Sequence, residues 1–261
     1  SNVRLGVNAG NSILDGGNYN VCIGDEAGTA ITTGDSNTAV GYNALASEDT
    51  GNGNTAIGHT ALANANNNAS SINTAVGSSA GQQLTTGIYN TFIGGEAGFY
   101  ATTADSSTFV GVHAGLGITG TKLTGNDNTM VGRGAGRFLQ GAAASNTGMG
   151  QGALYNNTTA SNNTVVGYQA GYSANTGGAN SFFGRQAGYN ANGSAATHNT
   201  FIGDSAGSLM TTGAKNTILG RYSGNAGSLD IRTASNNIVL SDGDGNPRAY
   251  FNGDSGFKVV G

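Results

Sequence analysis

One short phrase, Asn-Thr-x-(Val/Ile/Leu/Phe/Met)-Gly-x-x-Ala-(Gly/Leu), returns along this chain every seventeen residues or a little more. It stands at Asn37-Thr38-Ala39-Val40-Gly41, at Asn54-Thr55-Ala56-Ile57-Gly58 and at Asn73-Thr74-Ala75-Val76-Gly77, and begins again at Asn90, Ser107, Asn128, Asn146, Asn163, Asn180, Asn199 and Asn216. Earlier copies end at Gly6 and Gly24, and a decayed copy begins at Asn237. The 13 motif glycines from Gly6 to Gly220 are spaced 17 to 21 residues apart. Such a unit is too short for a packed helix pair, which takes more than about 30 residues in the common helical repeats. Its apolar residues alternate with period two rather than 3.6. The unit therefore reads as a short strand, a glycine turn and a second segment of small residues around Ala44. Successive units then pair in parallel about 4.8 Å apart. The expectation is an all-β chain, a parallel β-solenoid (β-roll or β-helix) of about 13 coils of 17–21 residues over 1–235. A rod section of that many coils would be on the order of 60 Å long. Residues 236–261 read as a C-terminal β-hairpin or cap.

Composition agrees with an array that reuses one unit. Glycine supplies 47 of 261 residues and charged residues only 9%, against about 7% glycine and about 25% charge in ordinary domains. A net charge of −4 with 37% apolar residues is too balanced for a solvated, disordered tail. No basic stripe exists to displace counterions, so nucleic acid is not an expected partner. No run approaches the roughly 18 apolar residues of a membrane helix, so no membrane insertion is expected. The first residues carry no signal-peptide pattern. Cys22 is the single cysteine, and no Cys/His metal spacing occurs; no cofactor is expected.

Alternation also assigns sides. Thr38 and Val40 share one face, expected to be the core together with the alanine column Ala27, Ala44, Ala61 and Ala80. The residue between them then points outward. Late in the chain that column is strongly apolar: Phe92, Phe109, Met130, Val165, Phe182, Phe201 and Ile218. An exposed apolar stripe marks an interaction surface, so these seven are the expected subunit interface of a homotrimer. The alternative is that they pack under the chain's own loops. The segment between the Ala-(Gly/Leu) pair and the next Asn is 8 residues in most coils. It grows to 10 after Leu62, 12 after Gly115, 10 after Gly188 and 12 after Gly224, so extra residues should bulge from one side.

The Asn-Thr-Ala-Val-Gly and Asn-Thr-Ala-Ile-Gly strands with their Ala-Gly partners resemble the head repeats of trimeric autotransporter adhesins. Those heads are left-handed parallel β-rolls, and the coils here are longer than theirs. The segment from Asn236 to Arg248 (Asn-Asn-Ile-Val-Leu-Ser-Asp-Gly-Asp-Gly-Asn-Pro-Arg) is similar to the stretch after such repeats in bacteriophage tail fibres, where a self-cleaving chaperone often comes next. The two resemblances cover about residues 2–224 and 236–261. They imply a left-handed, homotrimeric, extracellular fibre, on a virion tail or a bacterial surface, that touches a cell.

Candidate chemistry is sparse. A glycosidase needs two carboxylates about 5 to 9.5 Å apart. Asp25, Glu26, Glu96 and Asp204 follow motif glycines in separated coils, while Asp35, Glu48, Asp49, Asp105 and Asp127 lie in turns without a shared column. His59, His113 and His198 are scattered. Asp242-x-Asp244-x-Asn246 lacks the glycine and the twelfth-position acid of a calcium loop, and reads as a turn between strands. Tyr155, Tyr172 and Tyr189 fall in one column and could stack on sugar rings of a receptor glycan, or simply on one another. Arg133, Arg185 and Arg221 beside motif glycines could meet acidic glycans or stay solvated. Ice binding would need an outward threonine array, and the repeated threonine is assigned to the core. The resulting expectation is a non-enzymatic fibre or adhesin module whose uneven loops contact a cell-surface glycan or protein receptor. A purely structural spacer is the alternative, and a polysaccharide-degrading tailspike the minor one.

Overall fold

A computed structural model describes residues 1–67, 71–253 and 256–259. All regular structure among them is β. The chain forms two compact units, residues 1–133 with 140–142, and residues 134–139 with 143–261. In the first, eight three-residue strands pair in parallel in chain order: β1 (Val3–Leu5), β2 (Val21–Ile23), β3 (Thr38–Val40), β4 (Thr55–Ile57), β5 (Thr74–Val76), β6 (Thr91–Ile93), β7 (Thr108–Val110) and β8 (Thr129–Val131). Equivalent letters of the repeat face each other: Thr38 pairs Thr55, Ala39 pairs Ala56 and Val40 pairs Ile57. The second unit repeats the ladder with β9 (Thr147–Met149), β10 (Thr164–Val166), β11 (Ser181–Phe183), β12 (Thr200–Ile202) and β13 (Thr217–Leu219). A small hairpin, β14 (Asn225–Ala226) and β15 (Leu229–Asp230), interrupts it before β16 (Ile238–Ser241) rejoins β13 in parallel. The chain is a parallel β-solenoid. β17 (Pro247–Asn252) and β18 (Gly256–Val259) then add antiparallel strands. In the turn before β17, the Asp242 carboxylate accepts the backbone N–H groups of Asp244 and Asn246 at 3.0 and 2.9 Å and pairs with Arg248. The N–H of Asn246 leads the causes that hold its pKa down, to about 2. The Asp-x-Asp-x-Asn string is thus a turn whose first acid is used within the turn.

Each coil turns where an L-residue is forced left-handed. The residue before the motif asparagine is one such corner (Ser36, Tyr89, His198), and the second and fourth residues after the motif glycine are others (Asn43, Leu45). The motif asparagine itself is not left-handed, although the residue type tolerates that conformation; its predecessor takes that role. The asparagine does different work. Fully buried, Asn37 accepts on Oδ1 the backbone N–H of Asn54 at 2.9 Å and donates from Nδ2 to the Gly51 carbonyl at 2.8 Å. The Oδ1 half of this pattern recurs from Asn20 to Ser107 and from Asn146 to Asn237. The Nδ2 half recurs at Asn20, Asn73, Asn90, Asn146, Asn180, Asn199 and Asn216, while Asn54 donates to Ser71 Oγ and Asn163 to Asn146 Oδ1. One amide thus stitches each coil to the next and ties the two sides of its own coil together. That accounts for a buried polar column in a core that cannot leave such groups unpaired.

The assignment of sides is reversed. Along every strand of the ladders from β2 to β13 the middle residue is buried, and its neighbours are half-buried or exposed. Phe92, Phe109, Met130, Val165, Phe182, Phe201 and Ile218 have no accessible surface and fill the interior of their own chain, so they cannot be the subunit seam. Period two gives two faces without saying which is inside. The choice follows from the asparagine and alanine columns, which need the interior and share its face with the middle residue.

The apolar core includes the columns of the middle strand residue, of the expected alanines, and of the seventh residue after the motif glycine (Ile31, Leu84, Leu139, Met210). The first column is matched in volume by the residue after the alanine, except at Ala75 with Gly81, where Leu62 and Phe92 of the adjacent coils fill the space. Where the strand carries Ala39, Ala56 or Gly148, that residue is Leu45, Leu62 or Leu154. Where it carries Phe92, Phe109, Phe182 or Phe201, it is Gly98, Gly115, Gly188 or Gly207. A β-carbon at Gly188 would lie 2.5 Å from the Phe182 ring. Interiors packed to crystal-like density require this exchange.

Glu48 breaks the third column. It is fully buried, and its carboxylate accepts the Gly51 N–H at 2.8 Å and the Asn67 N–H at 3.2 Å. Burial outweighs those bonds and raises its pKa above the ordinary glutamate value. A raised folded pKa means stability is fullest below the ordinary range and declines as pH rises through the folded value. The melting temperature should therefore fall as pH rises above the ordinary glutamate range, and E48Q should flatten that slope in thermal melts. A melting temperature that rises with pH above that range would contradict the sign. Among the described residues no helix is long and apolar enough to cross a membrane.

Candidate functional site

Turning the strands over places a different surface outside. Each outward strand face carries two rows, threonine before the middle residue and an aliphatic residue after it. In the first unit Ile57 and Ile93 are exposed and Val40, Val76, Val110 and Val131 half-buried. In the second, Met149, Phe183, Ile202, Leu219 and Leu240 are exposed, with Ile202 at 44%. The threonines Thr38, Thr55, Thr74, Thr91 and Thr108, and later Thr147, Thr164, Thr200 and Thr217, run beside them. Neither row contains a charged residue in any strand from β1 to β13 or in β16. Monomeric soluble proteins rarely leave a contiguous apolar strip larger than a few hundred Å². The threonine array, assigned to the core on sequence grounds, is therefore outside as well.

The tyrosine column is a stack. Tyr155 and Tyr172 lie 4.8 Å apart at 8°, and Tyr172 and Tyr189 lie 5.1 Å apart at 5°. One end is covered by Phe138, edge-on at 5.2 Å, and by the Arg137 guanidinium 5.8 Å from the Tyr155 ring centre. Burial within the stack pushes the Tyr172 phenol up. Self-stacking uses the ring faces, so the middle ring offers a ligand its edge.

The acidic residues have structural partners. Asp35 accepts the Asn18 N–H at 2.6 Å and Asp105 the Ile88 N–H at 2.8 Å, so the turn carboxylates stitch one coil to the one before. Asp25 does the same for Val7 at 2.9 Å, and Glu26 accepts the Asn8 amide at 2.7 Å. This second ladder, two residues ahead of the motif asparagine, was visible in the spacing of Asn18, Asp35 and Asn52. Asp204 is clamped by Arg185 (2.7 Å) and Arg221 (3.1 Å), which holds its carboxyl below the usual range. Two of the three arginines considered for acidic glycans are thus paired within the chain. Glu96 sits 3.2 Å from His113, and Tyr42 stacks on His59 with centroids 5.5 Å apart. Among the described residues no three His, Cys, Asp or Glu side chains could hold a metal ion.

Of the uneven loops, the one after Leu62 includes 68–70, which lie outside the described residues. The one after Gly224 builds structure of its own. Its β14–β15 hairpin is pinned by the buried Tyr222, whose hydroxyl donates to the Leu229 carbonyl at 2.7 Å. No protein-family model, curated protein or solved structure matches this chain.

Proposed function

We propose that this chain is a non-catalytic fibre or adhesin module, homotrimeric and extracellular, which uses its outward Thr/aliphatic strand face as the seam between copies. What carries the reading is that charge-free face, continuous in register along each ladder. A second copy is its natural occupant because both partners then cover the same apolar strip, with threonine hydroxyls left to pair at its border. The number three and the cell-attachment role come from the adhesin and tail-fibre resemblance. Light scattering should give three times the 25.8 kDa chain mass. The double variant Ile93→Asp/Ile202→Asp should be monomeric with its circular dichroism unchanged, since both residues are exposed in the single chain. A wild-type monomer, or a double variant that stays trimeric, would refute the seam.

The outward threonines favour one other reading, in which the face binds ordered water or a crystalline polymer. That reading requires a monomer, or a trimer with the face exposed, and measurable thermal hysteresis in freezing solutions.

A further inference from the structure

The β14–β15 insertion helps to make a concave site in the second unit. Between it and the neighbouring coils lies an open cleft of about 480 Å³ lined by Asn190, Leu209, Thr211, Asp230, Arg232 and Thr233. We propose that this cleft binds a neutral saccharide through vicinal hydroxyls, with Asp230 and Arg232 as the recognition pair. The proposal rests on the attachment reading and names the ligand class of that attachment.

Asp230 and Arg232 form a planar fork: Nε donates to Oδ1 at 3.0 Å and one Nη to Oδ2 at 2.7 Å. Carboxylate acceptors and the remaining guanidinium donors then lie side by side, the arrangement that a pair of adjacent hydroxyls can bridge. Because the two charges cancel locally and the carboxylate repels anions, phosphate and sulfate groups are disfavoured. Asn190 donates its amide to the Ser208 carbonyl at 2.9 Å, which fixes the side chain and presents Oδ1 as an acceptor. Leu209, exposed in the lining, offers an apolar patch to the C–H face of a pyranose. The volume lies within the 300–1,000 Å³ typical of small-ligand sites, roughly right for one or two sugar rings. A protein partner would instead want a flat surface of about 800 Å².

The site is held in place before any ligand arrives. Thr211 donates its N–H to the Arg232 carbonyl at 2.9 Å, Ile231 donates to the Gly224 carbonyl at 2.9 Å, and Tyr222 anchors Leu229 from below. Fixed side chains on a tethered loop lower the ordering cost of binding. The cleft belongs to the segments after the Ala-Gly pairs, whereas the seam belongs to the strands, so a trimer leaves it accessible. The tyrosine stack ends beside it: Asn190 follows Tyr189, and the position of the next ring in the column is occupied by Ser208.

The test is retention on immobilised neutral, phosphorylated and sulfated oligosaccharides by the whole chain and by Asp230→Asn, Arg232→Gln and Thr233→Trp. All three positions are exposed, so folding should survive, and melting temperatures check it. The expected result is retention on neutral saccharides, weakened at least tenfold by each variant, with Tyr172→Ala unaffected. No retention on any saccharide, retention on the anionic ones alone, or variants equal to wild type would each overturn it. Light scattering on the same samples separates the two readings. A trimer without retention overturns the cleft and leaves the fibre; a monomer whose retention depends on Asp230 supports the cleft and overturns the seam.

Discussion

Gly94→Ala should destabilise the chain by about 4 kcal/mol or more, whereas Gly95→Ala, one residue on, should change it by less than about 0.5 kcal/mol. Gly94 has φ +131°, and a β-carbon there would sit 2.6 Å from both the carbonyl carbon and oxygen of Gly111 in the next coil. Backbone cannot rotate away as a side chain can, so the coils must separate or the strand must shift. Gly95 has nothing within 4 Å of its would-be β-carbon. Because the neighbouring motif glycines pack on one another in the same way, the damage should spread to adjacent coils, as nearest-neighbour coupling in repeat arrays requires. Hydrogen exchange is the suitable readout, since arrays of this kind can lose two-state behaviour and a single unfolding free energy with it. Protection of the Thr91–Ile93 and Thr108–Val110 amides should collapse in Gly94→Ala and persist in Gly95→Ala. Equal protection in the two variants would mean that the close stacking of motif glycines is not what sets the coil geometry.

The second large effect concerns the volume exchange in the core. Phe182→Ala should cost about 3–5 kcal/mol, the usual range for emptying a buried aromatic site. Gly188→Leu should be at least as damaging alone, because its first side-chain carbon would meet the Phe182 ring at 2.5 Å. Combined, they rebuild the Ala/Leu pairing found at Ala39 with Leu45 and at Ala56 with Leu62, where leucine is native at φ +51° and +49°. The double variant should therefore be more stable than the sum of its parts, with a coupling of about 2–3 kcal/mol in a double-mutant cycle. Additive losses would show that the two columns do not share one space. Phe183→Ala is the internal control: Phe183 is 39% exposed while Phe182 has no exposure, so in the isolated chain its loss should be minor. If Phe183→Ala proved the more costly of the two in a monomer, the assignment of inside and outside would have to be reversed again.

Much of this was legible beforehand because a repeat turns a folding problem into a stacking problem. Asn37, Asn54 and Asn73 at constant offsets from a glycine imply coils, and period two within the phrase implies strands; both hold in the register Thr38–Thr55–Thr74. The alanine column was legible as well, since a small residue kept in every coil implies a tight interior. The Ala/Leu and Phe/Gly pairing was present in the letters too. It went unread because its two members stand six residues apart and exchange bulk only across a closed coil.

The sequence by itself determined the period, the parallel register and the existence of two faces on every strand. Which face is the core was decided by tertiary structure alone. Alternation is symmetric under reversal, and the tie is broken by where the asparagine amides find their partners. Those partners, the next coil's N–H and the carbonyl across the same coil, exist only once the coil has closed. Closure therefore sends Phe182 inward with Asn180, and leaves Thr200 and Ile202 on the face open to a partner.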